Sequence, residues 1–417
     1  MEKVPLKFSS KVFDFQTKKL LSKKSIVDLG DEKSKNIYEL LGVNEYLCDN
    51  FKIRIIDEDP EDRLYLLHYV ISNKQVNHIR GVIIHITNEG VCKIVAESFP
   101  FSEDISADNI LNEDLNFDET YIVTEVYEGT VIRIYKGPIT GKWHFSTHKK
   151  INGRNSRWSG PTFGEMFDSM WNFEDLEYNF ETYFKNDRCY VFILSHPENK
   201  LVCNITPSLR LIAVYDRFDN KLTLSSNTHL EKTHPSVVIH NDIFSNLASK
   251  EELKEIVSMI PISRSTGVFV YKLSQDNSKL LDYYKLSNAE YLEKRLLRGN
   301  EPNLKLRYLE FKLEKNDYLE DFLSLFSEKK ELFDEVDKDF GKLSLYLKKF
   351  YNRRYKNGEY CVFPQEEHII VENTKKNYNK NLSVQENIEK TLFTGTARQI
   401  NTLIKHMKEP IEVESVE

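Results

Sequence analysis

Near residue 288 the apolar residues change their spacing. Upstream they come in short, often alternating runs, and downstream they recur every three to four positions. That switch divides the 417-residue chain into a strand-rich part and a helical part. Strands are predicted at 65–71, 81–86, 91–96, 121–126, 130–136, 142–147, 189–194, 201–205, 210–216, 221–225 and 267–273. Asn88-Glu89-Gly90 reads as a hairpin loop. Helices are predicted at 35–48, 162–170, 175–184 and 249–259 among the strands. The runs at 289–297, 305–313, 318–326 and 329–351 have apolar residues at helical spacing with charges between them. Residues 372–385, rich in Asn and Lys, read as a surface loop, with Ser383 capping a helix through Ile388 to Leu392. The expected division is an N-terminal extension or start of the core at 1–60, a main domain at 61–287, a helical domain at 288–408 and an acidic tail at 409–417.

Composition narrows the class. Hydrophobic residues make up 40% and charged residues 29%, as in a globular protein. No apolar run approaches the ~20 residues of a membrane span, and the first residues do not open a signal peptide, so a cytoplasmic location is expected. The five cysteines are scattered with no Cys-x-x-Cys pair, which points to neither a zinc site nor a disulfide framework. A net charge of −7 argues against wholesale coating by nucleic acid and leaves room for a local basic face.

One run sets the functional question. Thr124-Glu125-Val126-Tyr127-Glu128-Gly129-Thr130 is preceded by Tyr121-Ile122-Val123 and followed by Val131-Ile132-Arg133-Ile134-Tyr135. Other blocks follow in order: Thr162-Phe163-Gly164-Glu165, Tyr190-Val191-Phe192-Ile193-Leu194, Leu211 to Asp216, Thr266-Gly267-Val268 and Lys285-Leu286-Ser287. Together these blocks resemble the ATP-dependent RNA ligases of phages and large DNA viruses, within the covalent nucleotidyltransferase superfamily. The resemblance implies an α+β fold: an RNA-ligase-like nucleotidyltransferase domain of two antiparallel sheets with flanking helices around a cleft, plus a helical C-terminal domain.

In that family a strand delivers Lys-x-Asp/Glu-Gly, and the lysine amine attacks the α-phosphate of ATP. The matching position here is Val126, which has no nucleophile. The carboxylate positions hold Ile193 and Thr266, and of two phosphate-contacting lysines Lys285 remains while the second is Ser287. The resemblance therefore implies an inactive homologue that binds nucleic acid or scaffolds an assembly. Its remnant nucleotide pocket would comprise Glu128, Gly129, Arg133, Phe192 and Lys285. The alternative is an active ligase that joins 5′-phosphate and 3′-hydroxyl ends through a relocated lysine, with ATP and Mg²⁺ as cofactors; otherwise no cofactor is expected. A third reading is an assembly protein whose cleft is filled by Val126, Ile193 and Thr266.

Lys149, Lys150, Arg154 and Arg157, interleaved with Trp143 and Trp158, are the candidate nucleic-acid contacts. His144, His148 and His196 lack metal-ligand spacing, so no metal site is expected. Lys136 in Lys136-Gly137-Pro138 reads as a hairpin tip rather than a displaced nucleophile. RNA and protein partners both remain open, a membrane partner is not expected, and no oligomeric state is indicated.

Overall fold

The structure, a computed structural model, describes residues 19–97, 99, 102, 104–112, 121–171, 180–204, 206–224, 234–239, 243–244, 249–274, 280–359 and 362–409. The chain divides into two compact units, with the boundary between Arg295 and Leu296. The first unit is a mixed α+β body of three largely antiparallel sheets, and the second is helical. No helix among the described residues is long and apolar enough to cross a membrane.

The first sheet is a meander of β1 (Lys24–Ser25), β2 (Arg54–Asp59), β3 (Leu64–His68), β4 (Val82–Ile86) and β5 (Cys92–Ala96), all antiparallel. The remaining strands are β6 (Asp104–Ser106), β7 (Tyr121–Val126), β8 (Thr130–Lys136), β9 (Trp143–Ser146), β10 (Arg188–Ser195), β11 (Ser208–Asp216), β12 (Lys221–Leu224), β13 (Val237–Ile239), β14 (Ile243–Phe244), β15 (Gly267–Leu273) and β16 (Leu280–Ser287). The second sheet runs β12-β11-β10-β8-β9, with β13 pairing parallel to β11. The third runs β14-β7-β15-β16-β6, its last pair parallel. Strands β7 and β8 are consecutive in sequence yet belong to different sheets, so Tyr127-Glu128-Gly129 is the crossing between them.

Alternation in the second sheet explains how it is held. Ile132, Ile134, Tyr190, Phe192 and Leu194 face the helix Phe163–Met170, which contributes Phe163, Met166 and Phe167. The intervening Tyr135, Cys189 and Val191, with Tyr215 of β11, belong to a second core with Leu64, Leu66 and Ile83 of the first sheet. Burying each such side chain stabilises the fold by roughly 1.5–3 kcal/mol. The third sheet packs Val123, Val268, Val270 and Leu286 with Leu253 and Val257 of helix Lys250–Met259. The C-terminal unit has its own core, which the helix Lys330–Tyr355 enters through Phe333, Leu343, Leu347 and Phe350.

Several expectations need correction. The predicted helix 35–48 is two helices, Asp31–Leu41 and Glu45–Asn50, because Gly42 closes the first at φ 63° and Asn44 caps the second. Residues 201–203, predicted as strand, form an irregular segment whose N–H groups are taken by a side chain rather than by a neighbouring strand; residue 205 lies outside the described residues. The helix Gln365–Lys376 extends into the predicted loop at 372–385, because Ile370, Val371 and Thr374 bury one face. Ser383 does cap Val384–Leu392, in a reciprocal pair with Glu386. Of the predicted helix 175–184, residues 180–184 are described, and Phe180–Tyr183 are helical. Most of the predicted acidic tail lies outside the described residues.

Candidate functional site

The crossing from β7 to β8 is fixed from both sheets. Val126 ends β7 opposite Gly267, and its carbonyl accepts from Thr266 N (3.0 Å) and Ser265 Oγ (2.6 Å). On the other side Ser195 Oγ donates to the Glu128 carbonyl at 2.6 Å. The Glu128 carboxylate is buried and accepts from the backbone N–H groups of Leu201, Val202 (2.9 Å) and Cys203 (3.2 Å). Burial pushes this carboxyl up, against the pull of those backbone donors. A Cβ on Gly129 would stand 2.6 Å from both Ile193 Cγ2 and Leu194 O, so only glycine lets the crossing lie against β10. Glu128-Gly129 thus ties the two sheets together.

Beside the crossing lies a cavity of about 490 Å³, lined by Tyr127, Glu128, Ser195, Cys203, Asn204, Thr206, Ser208, Arg210, Ser263 and Arg264. Among the described residues its lining includes two arginines and no lysine. The cross-strand pairs Ile193–Arg210 and Ser195–Ser208 put these four residues on one face of the β10–β11 ladder. The Arg210 guanidinium lies 3.9 Å from the centre of the Tyr127 ring. Arg264 Nη2 donates to Glu125 Oε2 at 2.6 Å, and the Tyr127 hydroxyl donates to the same oxygen at 2.8 Å. Glu125 is buried, and its Oε1 has no hydrogen-bond partner among the described residues.

Of the residues expected in a nucleotide pocket, Glu128 lines this cavity, while Gly129, Arg133, Phe192 and Lys285 are not among its lining residues. Val126 and Thr266 are buried neighbours, and Ile193 stands on a different sheet beside Gly129. Phe192, expected in a nucleotide pocket, faces the helix side of the second sheet in the apolar core, because alternation sends Ile193 to the cleft side instead. Arg133 is fully buried; it donates to the carbonyls of Gly81 and Thr147 (2.7 Å) and so clamps backbone.

Lys285 is paired with Asp104 at 2.5 Å, and Ser287 Oγ donates to the same carboxylate at 2.8 Å. Burial pushes Asp104 up, but the Lys285 charge and hydrogen bond outweigh it and hold the carboxyl below its usual range. The predicted basic patch is divided. Lys150 donates to Asp57 (3.0 Å) and Arg154 pairs with Asp168 (2.6 Å), while Lys149 and Arg157 are exposed. Burial, then the Arg80 charge, pulls His148 below its ordinary value. Trp143 and Trp158 pack against the core under the second sheet, away from a stacking role. Lys136 donates to Glu181 (2.6 Å), as suits the base of the β8–β9 hairpin.

His144 does join two carboxylates: ligand atoms of Asp59, Asp62 and His144 lie within 4.8 Å of one another. Asp62 is already saturated. It accepts from Ile139 N (2.9 Å), Thr140 N (2.8 Å), Thr140 Oγ1 (2.7 Å) and His144 Nε2 (2.8 Å), which fills the roughly four acceptor positions of a carboxylate. Burial pushes Asp62 up, yet these donors outweigh it and take the carboxyl down to about 2. This cluster is a clamp on the β8–β9 turn. His196 Nδ1 accepts from Glu198 N and caps the next turn.

Arg210, Arg264 and Glu125 escaped the sequence reading. Arg210 lies in β11 and Arg264 in a Pro-Ile-Ser-Arg-Ser turn before β15, more than fifty residues apart in sequence, and they meet as lining residues of one cavity.

No known family profile matches the chain. The immediate-early protein ICP-46 homolog of Invertebrate iridescent virus 6 is 26% identical over 300 residues, covering 67% of this chain and 63% of that protein. Its counterpart from Invertebrate iridescent virus 3 is 24% identical over 263 residues, covering 59% and 53%. The chain thus spans less than two thirds of the length of either relative. Among solved structures, an archaeal ATP-dependent RNA ligase (form 2) matches at a TM-score of 0.44 and 12% identity, over 82% of this chain and 98% of that one. Form 1 matches at 0.41 and 12%, over 72% and 76%.

Proposed function

We propose that this chain is a non-covalent relative of the ATP-dependent RNA ligases, a nucleic-acid-binding or scaffolding component that forms no lysyl-adenylate. One observation supports this reading above the others: among the described residues, the cavity beside Tyr127-Glu128-Gly129 is lined by arginines and hydroxyls and by no lysine. Covalent nucleotidyl transfer needs an amine that can attack phosphorus, and arginine is permanently protonated and cannot. The neighbouring Val126 and Thr266 are a buried aliphatic and a buried hydroxyl, with no charge to bind a metal or orient a nucleophile. The similarity to immediate-early proteins of iridescent viruses supports a viral setting and, with it, action inside an infected cell.

Lys285 supports the second reading, an active ligase using ATP and Mg²⁺. Its amine is buried, and burial lowers its pKa, as activated lysines require. Against this reading, Asp104 holds that amine in an ion pair.

Mixing the protein with ATP, Mg²⁺ and RNA strands bearing 5′-phosphate and 3′-hydroxyl ends separates the two. The proposal expects neither joined product nor pyrophosphate above the buffer level. Joined strands that disappear on Lys285→Met would establish the active ligase.

A further inference from the structure

We infer that the helical unit carries a docking face for double-stranded RNA, a lysine row along the helix Lys330–Tyr355 that contacts the phosphate backbone without reading bases. The inference rests on the nucleic-acid-binding side of the reading above and adds to it a surface and a ligand form.

Charge is segregated along this helix. Between Asp339 and Glu359 the chain has no acidic residue, yet it has Lys342, Lys348, Lys349, Arg353, Arg354 and Lys356. Arg353 and Arg354 are used within the chain, by Glu359 and Glu372. Lys338, Lys342, Lys349 and Lys356 are exposed and make no ion pair among the described residues. Steps of four, seven and seven residues put these four on one face of the helix. At about 1.5 Å per residue the row is about 27 Å long, with about 10.5 Å between successive members of its last three. Complementarity to the helix dipole acts within the last turn, so it accounts for Lys356 but not for Lys338, Lys342 or Lys349. Like charges in one row repel each other, and a row of phosphates neutralises them together.

Gly341 is an independent observation. It lies inside the helix, where glycine is less stable than alanine, and a Cβ there would meet no atom within 4 Å. Packing within the chain therefore does not call for it. On the exposed side between Lys338 and Lys342, it leaves the backbone open to close approach by a broad partner.

The ligand form follows from what the helix hides. Leu343, Leu347 and Phe350 are in the core of the unit, so only a stripe of the helix is exposed. A helix sunk to this depth cannot enter the B-DNA major groove, about 8.5 Å deep. It can lie on the wide, shallow minor groove of A-form RNA, where lysines about 10.5 Å apart reach phosphates on both rims. Single strands are held by stacking on free aromatic rings, and the rings of this stretch are engaged. Tyr351 is buried, Tyr346 packs edge-on against Phe350, and Lys375 lies over Tyr355 at 5.1 Å.

The test is fluorescence anisotropy of the full chain at about 0.15 M salt with a labelled RNA duplex of about 20 base pairs. Its ends carry 5′-hydroxyl groups, and the comparison ligands are one of its strands and the DNA duplex of the same sequence. The RNA duplex is expected to bind at least about tenfold more tightly than either, with an affinity that falls steeply with salt. Lys342→Glu combined with Lys349→Glu is expected to weaken duplex binding at least about tenfold, and the corresponding pair of Gln changes to lower the salt slope by about 2. Gly341→Glu, whose added side chain starts in open space, is expected to weaken binding too and serves if the double reversal does not fold. Lys149→Glu combined with Arg157→Glu is expected to leave duplex binding within about twofold. Undiminished binding by the folded double reversal overturns the inference, as does loss of binding through the Lys149 and Arg157 changes. Equal or tighter binding of the DNA duplex or the single strand overturns the duplex-RNA assignment. No binding of any of the three also overturns the inference, and leaves the non-covalent reading standing as a scaffold. Label appearing covalently on the chain in a parallel incubation with α-labelled ATP would defeat that reading instead, so the two failures are distinct.

Discussion

Glu128 shows how a residue can match a nucleotide-binding motif and yet serve the fold. Its carboxylate closes three buried N–H groups of residues 201–203 that no strand pairs. Each buried donor left unsatisfied costs about 1–3 kcal/mol. Glu128→Ala should therefore lose about 3 kcal/mol or more in urea denaturation; a loss under 1 kcal/mol would refute the tie. Asp62 teaches the same lesson. His144 lies 82 positions away in sequence, so no spacing rule finds the pair, and adding or chelating divalent cations should leave the melting temperature unchanged. Glu97 carries the pH prediction. Burial raises its carboxyl to about 7, with Arg133 opposing. A carboxyl raised in the folded state keeps a proton that the unfolded chain releases. Its contribution is thus complete below the ordinary value of 4.5 and is lost as pH rises through 7. Glu97→Gln should flatten that fall in stability between pH 4.5 and 7, and an unchanged slope would exclude Glu97 as its source. At this scale the unusual residue at Val126 was legible in the sequence, but the arginines of the cavity were not, because one lies in a strand and the other in a distant turn, and folding alone brings them to one cavity.

At the scale of elements, periodicity located most strands and helices because both faces of the second sheet are buried and the apolar runs are strong. It failed where a side chain replaces a ladder, at residues 201–203, and where a glycine cuts a helical pattern, at Gly42. Gly267 is the sharpest case of a local requirement. It sits between Val126 and Ser287 at φ +145°, and an added Cβ would lie 2.0 Å from Leu286 O. Gly267→Ala should destabilise the third sheet by about 2–3 kcal/mol or prevent folding. Soluble, fully stable protein carrying that change would contradict the described register. In the helical unit the Ser383–Glu386 capping box predicts a smaller effect, about 1 kcal/mol for Ser383→Ala, read as faster amide exchange confined to the first turn of Val384–Leu392.

For the whole molecule, the change of apolar period seen near residue 288 lies close to the boundary between the two compact units. Each unit has its own apolar core, so residues 296–409 expressed alone should be helical by circular dichroism and unfold cooperatively. A non-cooperative transition would show that this core is not self-sufficient. The α+β architecture was legible because patterning is summed over many strands. Function was not, because it depends on which few side chains share one cavity. The most direct test of the central claim is incubation of the intact chain with α-labelled ATP and Mg²⁺ followed by a denaturing gel. The account predicts no label on the protein. An adenylate mapped to Lys285, or to any other lysine, would contradict it.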